Sequence, residues 1–205
     1  MMKALLLVDI QNDFLPGGSV AVPQGNEVVP IANRLLSQFE LVVASQDWHP
    51  VHHGSFAANH PGKKLGERIT LNGLTQILWP NHCVQGSRGA QLVSDLQTEK
   101  IQKVFQKGTD SEVDSYSTFF DNARRKNTGL AAYLKDRGVT EIYLMGLATD
   151  YCVKFSALDA VSLGFKTFLI EDGCRGVNLQ PDDSQKAIQE MRNAGVQIIS
   201  SRFFK

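Results

Sequence analysis

Cysteine is scarce in this chain, no hydrophobic run approaches membrane length, and neither sign of charge is in excess. The 205 residues hold three cysteines, Cys83, Cys152 and Cys174. An odd number at unrelated spacings argues against a disulfide framework and for a reduced, cytosolic compartment. The first apolar run, Ala4–Val8, stops at Asp9. That is too short for a secretory core or a membrane span. Lys and Arg number 21, as do Asp and Glu. Residues 1–100 carry seven basic and eight acidic side chains, and the remainder fourteen and thirteen. Neither half has the basic surplus that phosphate neutralisation demands, so neither nucleic acid nor a membrane is an expected partner. Hydrophobic residues make up 42%, enough to bury a core without covalent staples. At roughly 100–200 residues per domain, 1–205 reads as one domain.

Short apolar runs alternate with helical periods. Ala4–Val8, Leu41–Ala44, Val104–Phe105, Ile142–Met145, Thr167–Ile170 and Val196–Ile199 read as buried strands. Val28, Ile31, Leu35 and Phe39 repeat at helical spacing, and further helices are predicted over about 128–137, 150–163 and Asp182–Ala194. The stretch from about 45 to 100 is rich in Gly, Pro, His and Asn and has weak periodicity. It reads as an insertion in which only Ala90–Leu96 is helical. Strand–helix alternation with continuous apolar strands predicts an α/β fold, a parallel sheet covered on both faces.

Ligands of such sheets bind beyond the carboxyl ends of the strands, so what each strand ends with matters. One ends at Asp9, the next at Asp47, another at Lys107, and a fourth runs through Gly146–Asp150 into Cys152. Two carboxylates, an amine and a thiol thus converge on one rim. Alone, each has a bland reading: a turn former, a solvated lysine, a small buried apolar side chain. Together they outweigh it, because the first turn of a helix and a nearby lysine both favour a thiolate at Cys152. Cys83 and Cys174 lack that setting and read as structural. All five histidines lie between residues 49 and 82, beginning beside Asp47. Asp47 with His49, then His52 and His53, and later His82 form a constellation whose carboxylate and imidazole ligands suit zinc, iron or manganese, and three protein ligands with open positions would describe a catalytic site. His60, beside Pro61-Gly62, reads as a bystander. Phe14, Trp79 and Tyr116 are candidate pocket aromatics, with core packing as the alternative.

Four motifs in order, Val8–Phe14 (VDIQNDF), Ser45–Pro50 (SQDWHP), Trp79–Cys83 (WPNHC) and Gly146–Val153 (GLATDYCV), closely resemble the nicotinamidase/pyrazinamidase family of isochorismatase-like cysteine hydrolases. The resemblance spans essentially the whole chain, including Asp114–Ser117 and Asp172–Gly176. It implies a single-domain three-layer sandwich around a six-stranded parallel sheet. It also implies a catalytic triad of Asp9, Lys107 and Cys152, and metal ligands Asp47, His49 and His82, with His53 as a further candidate. A cis peptide is expected between Leu147 and Ala148, and the amides of Ala148 and Cys152 are the expected oxyanion donors. Phe14, Trp79 and Tyr116 would surround the substrate ring.

The implied activity is hydrolysis of nicotinamide, and of pyrazinamide, through a cysteine thioester, releasing nicotinic acid and ammonia in NAD salvage. The implied cofactor is one divalent transition metal, zinc first, with Fe²⁺ or Mn²⁺ open. A monomer or a homodimer is expected. The alternative is a related metal-dependent amidase for another small aromatic or heterocyclic amide. An isochorismatase can lack the cysteine, and a metal-free carbamoyl hydrolase leaves Asp47, His49 and His82 without a purpose. A non-catalytic thiol sensor leaves the complete catalytic set without one.

Overall fold

The computed structural model describes residues 2–204. Its elements in chain order are β1 (Met2–Val8), α1 (Val28–Leu35), β2 (Leu41–Asp47), β3 (Arg68–Leu71), β4 (Leu74–Ile77), β5 (Lys103–Lys107), α2 (Leu130–Lys135), β6 (Val139–Leu147), α3 (Lys154–Ser162), β7 (Lys166–Arg175), α4 (Asp183–Asn193) and β8 (Gln197–Ile199). Six strands form one sheet in the order β5-β2-β1-β6-β7-β8, and every pairing is parallel. The α/β class and six-stranded sheet expected from the sequence are therefore observed.

Topology explains where a site belongs. From β1 the chain winds outward through β2 to β5, then returns and winds the other way through β6, β7 and β8. Right-handed crossovers then put α1 on one face and α2, α3 and α4 on the other. The reversal leaves a crevice between the carboxyl ends of β1 and β6, the usual ligand position in open α/β sheets. Covered on both faces, β1 carries Ala4, Leu5, Leu6, Leu7 and Val8 at zero exposure. Burying each of the larger ones contributes about 1.5–3 kcal/mol.

Two details depart from the sequence reading. Ala90–Leu96 is not helical. Its backbone turns toward the segment after β1 instead, with Asn12 N–H donating to Gln91 O at 3.1 Å and Val93 N–H to Ile10 O at 3.1 Å. Ala90, Val93 and Leu96 are buried at a helix-like spacing, but the tertiary partner took the hydrogen bonds a helix would have used. The second departure is an antiparallel hairpin, β3–β4, inside the stretch read as loop. Its turn is Asn72-Gly73, both at positive φ (46° and 84°), as a tight two-residue hairpin turn requires. Among the described residues, no helix is long and apolar enough to cross a membrane.

Candidate active site

Asp9 is the first residue past β1 and is fully buried. Ser45, on the neighbouring β2, donates its hydroxyl to Asp9 Oδ1 at 2.6 Å. Asp47 closes β2, and Gln11 brackets its peptide: Asp47 N–H donates to Gln11 Oε1 at 2.8 Å, and Gln11 Nε2 donates to Asp47 O at 2.9 Å. Lys107 closes β5 in register with Asp47. Its buried ammonium donates to Asp47 Oδ1 at 2.5 Å, Ser115 O at 2.9 Å and Cys152 Sγ at 3.3 Å. Lys107 Nζ also lies 2.9 Å from Asp9 Oδ2. The oxygens of Asp9 and Asp47 and the sulfur of Cys152 fall within 4.8 Å of one another. Cys152 sits in a π-turn, Thr149–Val153, that leads into α3. The peptide between Leu147 and Ala148 is cis, and Tyr151 and Val153 both donate their amides to Ala148 O.

Charge follows from these contacts. Burial alone would strip the proton from Lys107, but Asp47, Asp9 and Cys152 hold it well above the ordinary lysine value. Burial works on Asp47 in the opposite sense and loses to Lys107 and His49, leaving that carboxyl far below its usual range. For Asp9 burial prevails over the attraction of Lys107, and Asp47 adds repulsion, so its pKa is raised. Burial also pushes the Cys152 thiol well up; Lys107 opposes this, while Asp9 and Asp47 reinforce it. Burial thus favours the neutral thiol at Cys152, against its helix position and Lys107, which favour the thiolate. Beside it stands a carboxylate of increased basicity.

Across Asp47 lies a second cluster. His49 Nε2 is 3.5 Å and His82 Nε2 3.9 Å from Asp47 Oδ2. The backbone sets both rings: His49 Nδ1–H donates to Gly108 O at 2.8 Å and His82 Nδ1–H to Pro80 O at 2.8 Å. Each Nε2 then faces the carboxylate, the orientation seen in histidine metal ligands. His49 Nε2 is buried and has no hydrogen-bond partner. Burial and the neighbouring His49 push His82 down to about 4, keeping it a neutral imidazole. One carboxylate oxygen and two imidazole nitrogens within 4.8 Å fit a divalent transition metal.

His53 packs against His49, with ring centroids 4.4 Å apart, and the ligand atoms of His49, His53 and Asp114 also lie within 4.8 Å. His52 is exposed. His60 Nε2 lies 2.7 Å from Gly54 O, and His60 is not among the candidate metal ligands. Cys83 and Cys174 are buried free thiols.

A cavity joins the two clusters. Phe14, Trp79 and Tyr116 line it, as do His82, Asp47, Ala148 and Cys152. Sequence reasoning missed Val20, Asp114, Tyr151 and Val177, which also line it. Trp79 Nε1–H and Gln76 Nε2 donate to the Tyr116 hydroxyl at 3.3 and 3.2 Å, and Gln76 also donates to Asp114 Oδ2 at 3.0 Å. Asp114 had one available signal: it stands two residues before Tyr116. Asp150 accepts the amides of Val177, which lines the cavity, and of Asn178 at 3.0 and 2.7 Å.

The isochorismatase domain family matches residues 3–203. The chain is 55% identical to the nicotinamidase of Escherichia coli K12 over 197 residues, covering 94% of this chain and 92% of that one. A yeast nicotinamidase structure with the inhibitor nicotinaldehyde superposes at a TM-score of 0.92, with 33% identity over 97% of this chain and 100% of the other. A pyrazinamidase from Pyrococcus horikoshii in complex with zinc superposes at 0.79, with 35% identity over 98% and 99%.

Proposed function

The chain belongs to the isochorismatase family, and from that premise we propose that it hydrolyses nicotinamide to nicotinic acid and ammonia, and pyrazinamide likewise, in NAD salvage. The observation that carries this reading is one cavity lined both by Cys152, of the Cys–Lys–Asp cluster, and by Asp47 and His82, of an Asp–His–His trio fit for a metal. It is the combination expected where a small heteroaromatic amide must be both anchored and attacked. The relatives that bind nicotinaldehyde or act as nicotinamidases support it.

The chemistry falls to residues already in place. Asp9 Oδ2 takes the Cys152 proton, and Lys107 stays protonated to offset the charge. The sulfur attacks the amide carbon and forms a C–S bond. The amides of Ala148 and Cys152 receive the negative charge gathering on oxygen, a contribution often worth about 3–4 kcal/mol. As the C–N bond breaks, Asp9 passes its proton to the departing ammonia. Asp9 then takes a proton from water, which attacks the thioester; the C–S bond breaks and the thiol regains its proton.

Asp47, His49 and His82 would hold the metal, which zinc suits best and Fe²⁺ or Mn²⁺ also fit. Bound there, it supplies a Lewis acid for the pyridine nitrogen. On this reading, chelation shrinks the preference for nicotinamide over benzamide, which lacks that nitrogen, by about 10²-fold. The check is kcat/KM for both amides in loaded and stripped protein. Both rates falling together with an unchanged ratio would point to metal-activated water instead.

His53 ranks below Asp47, His49 and His82 as a ligand. Ser55 N–H donates to His53 Nδ1 at 3.2 Å, the Ser55 hydroxyl lies 2.7 Å from the same nitrogen, and burial lowers the pKa of the ring. His53→Gln is therefore expected to retain metal, whereas His82→Ala weakens binding by about tenfold or more. Equal metal loss in the two variants, read by metal analysis after gel filtration, would make His53 a ligand. Three free, buried cysteines support a cytosolic setting.

A further inference from the structure

We propose that Asp13 is a positioning residue that holds His82 and the Phe14–Val20 wall of the pocket in one geometry. The proposal rests on the reading of His82 as a metal ligand.

The two oxygens of Asp13 serve different segments. Oδ2 accepts the amide N–H of Cys83, the residue after His82, at 2.7 Å. Oδ1 accepts the amide and hydroxyl of Ser19 at 3.4 and 3.3 Å. The Asp13 backbone adds two ties, donating to Gly89 O and accepting from Val20 N–H, both at 3.0 Å. One residue thereby joins the loop that carries Phe14 and Val20, the segment that carries His82, and the strip around Gly89. Phe14 and Val20 line the same cavity as His82, and the Phe14 and His82 ring centroids are 5.7 Å apart.

The fit has no slack. A Cβ on Gly89 would meet an Asp13 carboxylate oxygen at 2.0 Å, so the carboxylate is seated directly against that backbone. Cys83 is held at φ 46°, a left-handed conformation that side-chain residues rarely adopt without fixed partners on the peptide. Those partners are Asp13 on its amide and His49 N–H on its carbonyl, at 2.9 Å. His82 is therefore fixed from both sides, by its ring to Pro80 O and by the following peptide to Asp13. An asparagine cannot reproduce this, because its amide nitrogen accepts nothing and one of the two N–H donors loses its acceptor. Cys152 arrives from β6 and has no part in these ties.

The test compares the parent protein with Asp13→Asn, Ser19→Ala and His82→Ala. Zinc affinity is measured by competition with a chromogenic chelator, KM and kcat for nicotinamide at saturating zinc, and iodoacetamide alkylation of Cys152. Asp13→Asn is expected to weaken zinc about 10–100-fold. It should also raise KM more than it lowers kcat and leave alkylation at the parent rate. Ser19→Ala spares the Cys83 contact, so it should raise KM while keeping parent zinc affinity. Parent zinc affinity and KM in Asp13→Asn, alongside zinc loss in His82→Ala, would overturn the role of Asp13 alone. Parent zinc affinity in His82→Ala would overturn the metal reading beneath it. If circular dichroism shows Asp13→Asn unfolded, Ser19→Ala decides: a raised KM at parent zinc affinity supports the division between the two oxygens, and an unchanged KM overturns it.

Discussion

Replacing Cys152 with alanine is expected to abolish ammonia release, by about 10⁴-fold or more, in a protein that still folds. No other thiol reaches the cluster of Asp9 and Lys107 within the cavity. The fold survives because Lys107, on losing the sulfur, keeps Asp47, Asp9 and Ser115 around its ammonium. The cost in stability is about 1 kcal/mol, ordinary for one buried heavy atom. Cys83→Ala and Cys174→Ala should retain most activity. Ammonia assays beside thermal melts make the comparison, and release by Cys152→Ala at the parent rate would exclude a covalent route through this residue.

Lys107→Ala should damage both stability and turnover. It leaves two buried carboxylates without their counter-charge, and breaking a buried pair in this way costs about 3–5 kcal/mol. The sign can be followed through pH. The native fold raises the Lys107 pKa above the ordinary 10.5. Its stabilisation is therefore fully present below that value and is lost only as pH rises through the raised one. The deficit of the variant is complete at neutral pH. Turnover should fall about 10²–10³-fold, the usual loss when one fixed electrostatic group is removed. Because Lys107 is the group that opposes the upward shift of the thiol, alkylation of Cys152 should move to higher pH. Coincident alkylation profiles in variant and parent would strip the lysine of its electrostatic role.

Much of this arrangement was legible before any coordinates. Asp9 directly follows a run that a doubly covered sheet must bury, and Asp47 and Lys107 stand within three residues after such runs, where the strands end. Reading strand ends brings these residues to one rim without knowledge of the strand order. Partners from distant segments were not legible. Ser45 meets Asp9 across 36 residues and Gln76 meets Asp114 across 38, and no local period announces such pairs. The hairpin was legible and passed over, since Asn72-Gly73 between two β-prone tetrapeptides is a strong local turn signal. Ala90–Leu96 misled for the opposite reason: its apolar spacing is helical, but its hydrogen bonds go to the chain after β1. The opposing pull of burial on Cys152 was not legible, because helix position can be read from a sequence and the degree of burial cannot.

The hairpin β3–β4 has a consequence for how this protein fails. Two strands paired only with each other are marginal by themselves, and alternate positions of β3 face solvent. The strands β1 and β6 are flanked on both sides within the sheet and almost wholly buried. Opening under mild stress begins in segments with few buried contacts and reaches such central strands last. Gln76, which steadies Tyr116 and Asp114, rides on the hairpin, whereas Asp9 and Cys152 ride on the ends of the central strands. Warming is therefore expected to loosen the Tyr116 and Asp114 side of the cavity while Asp9 and Cys152 are still assembled, so that KM rises before kcat falls.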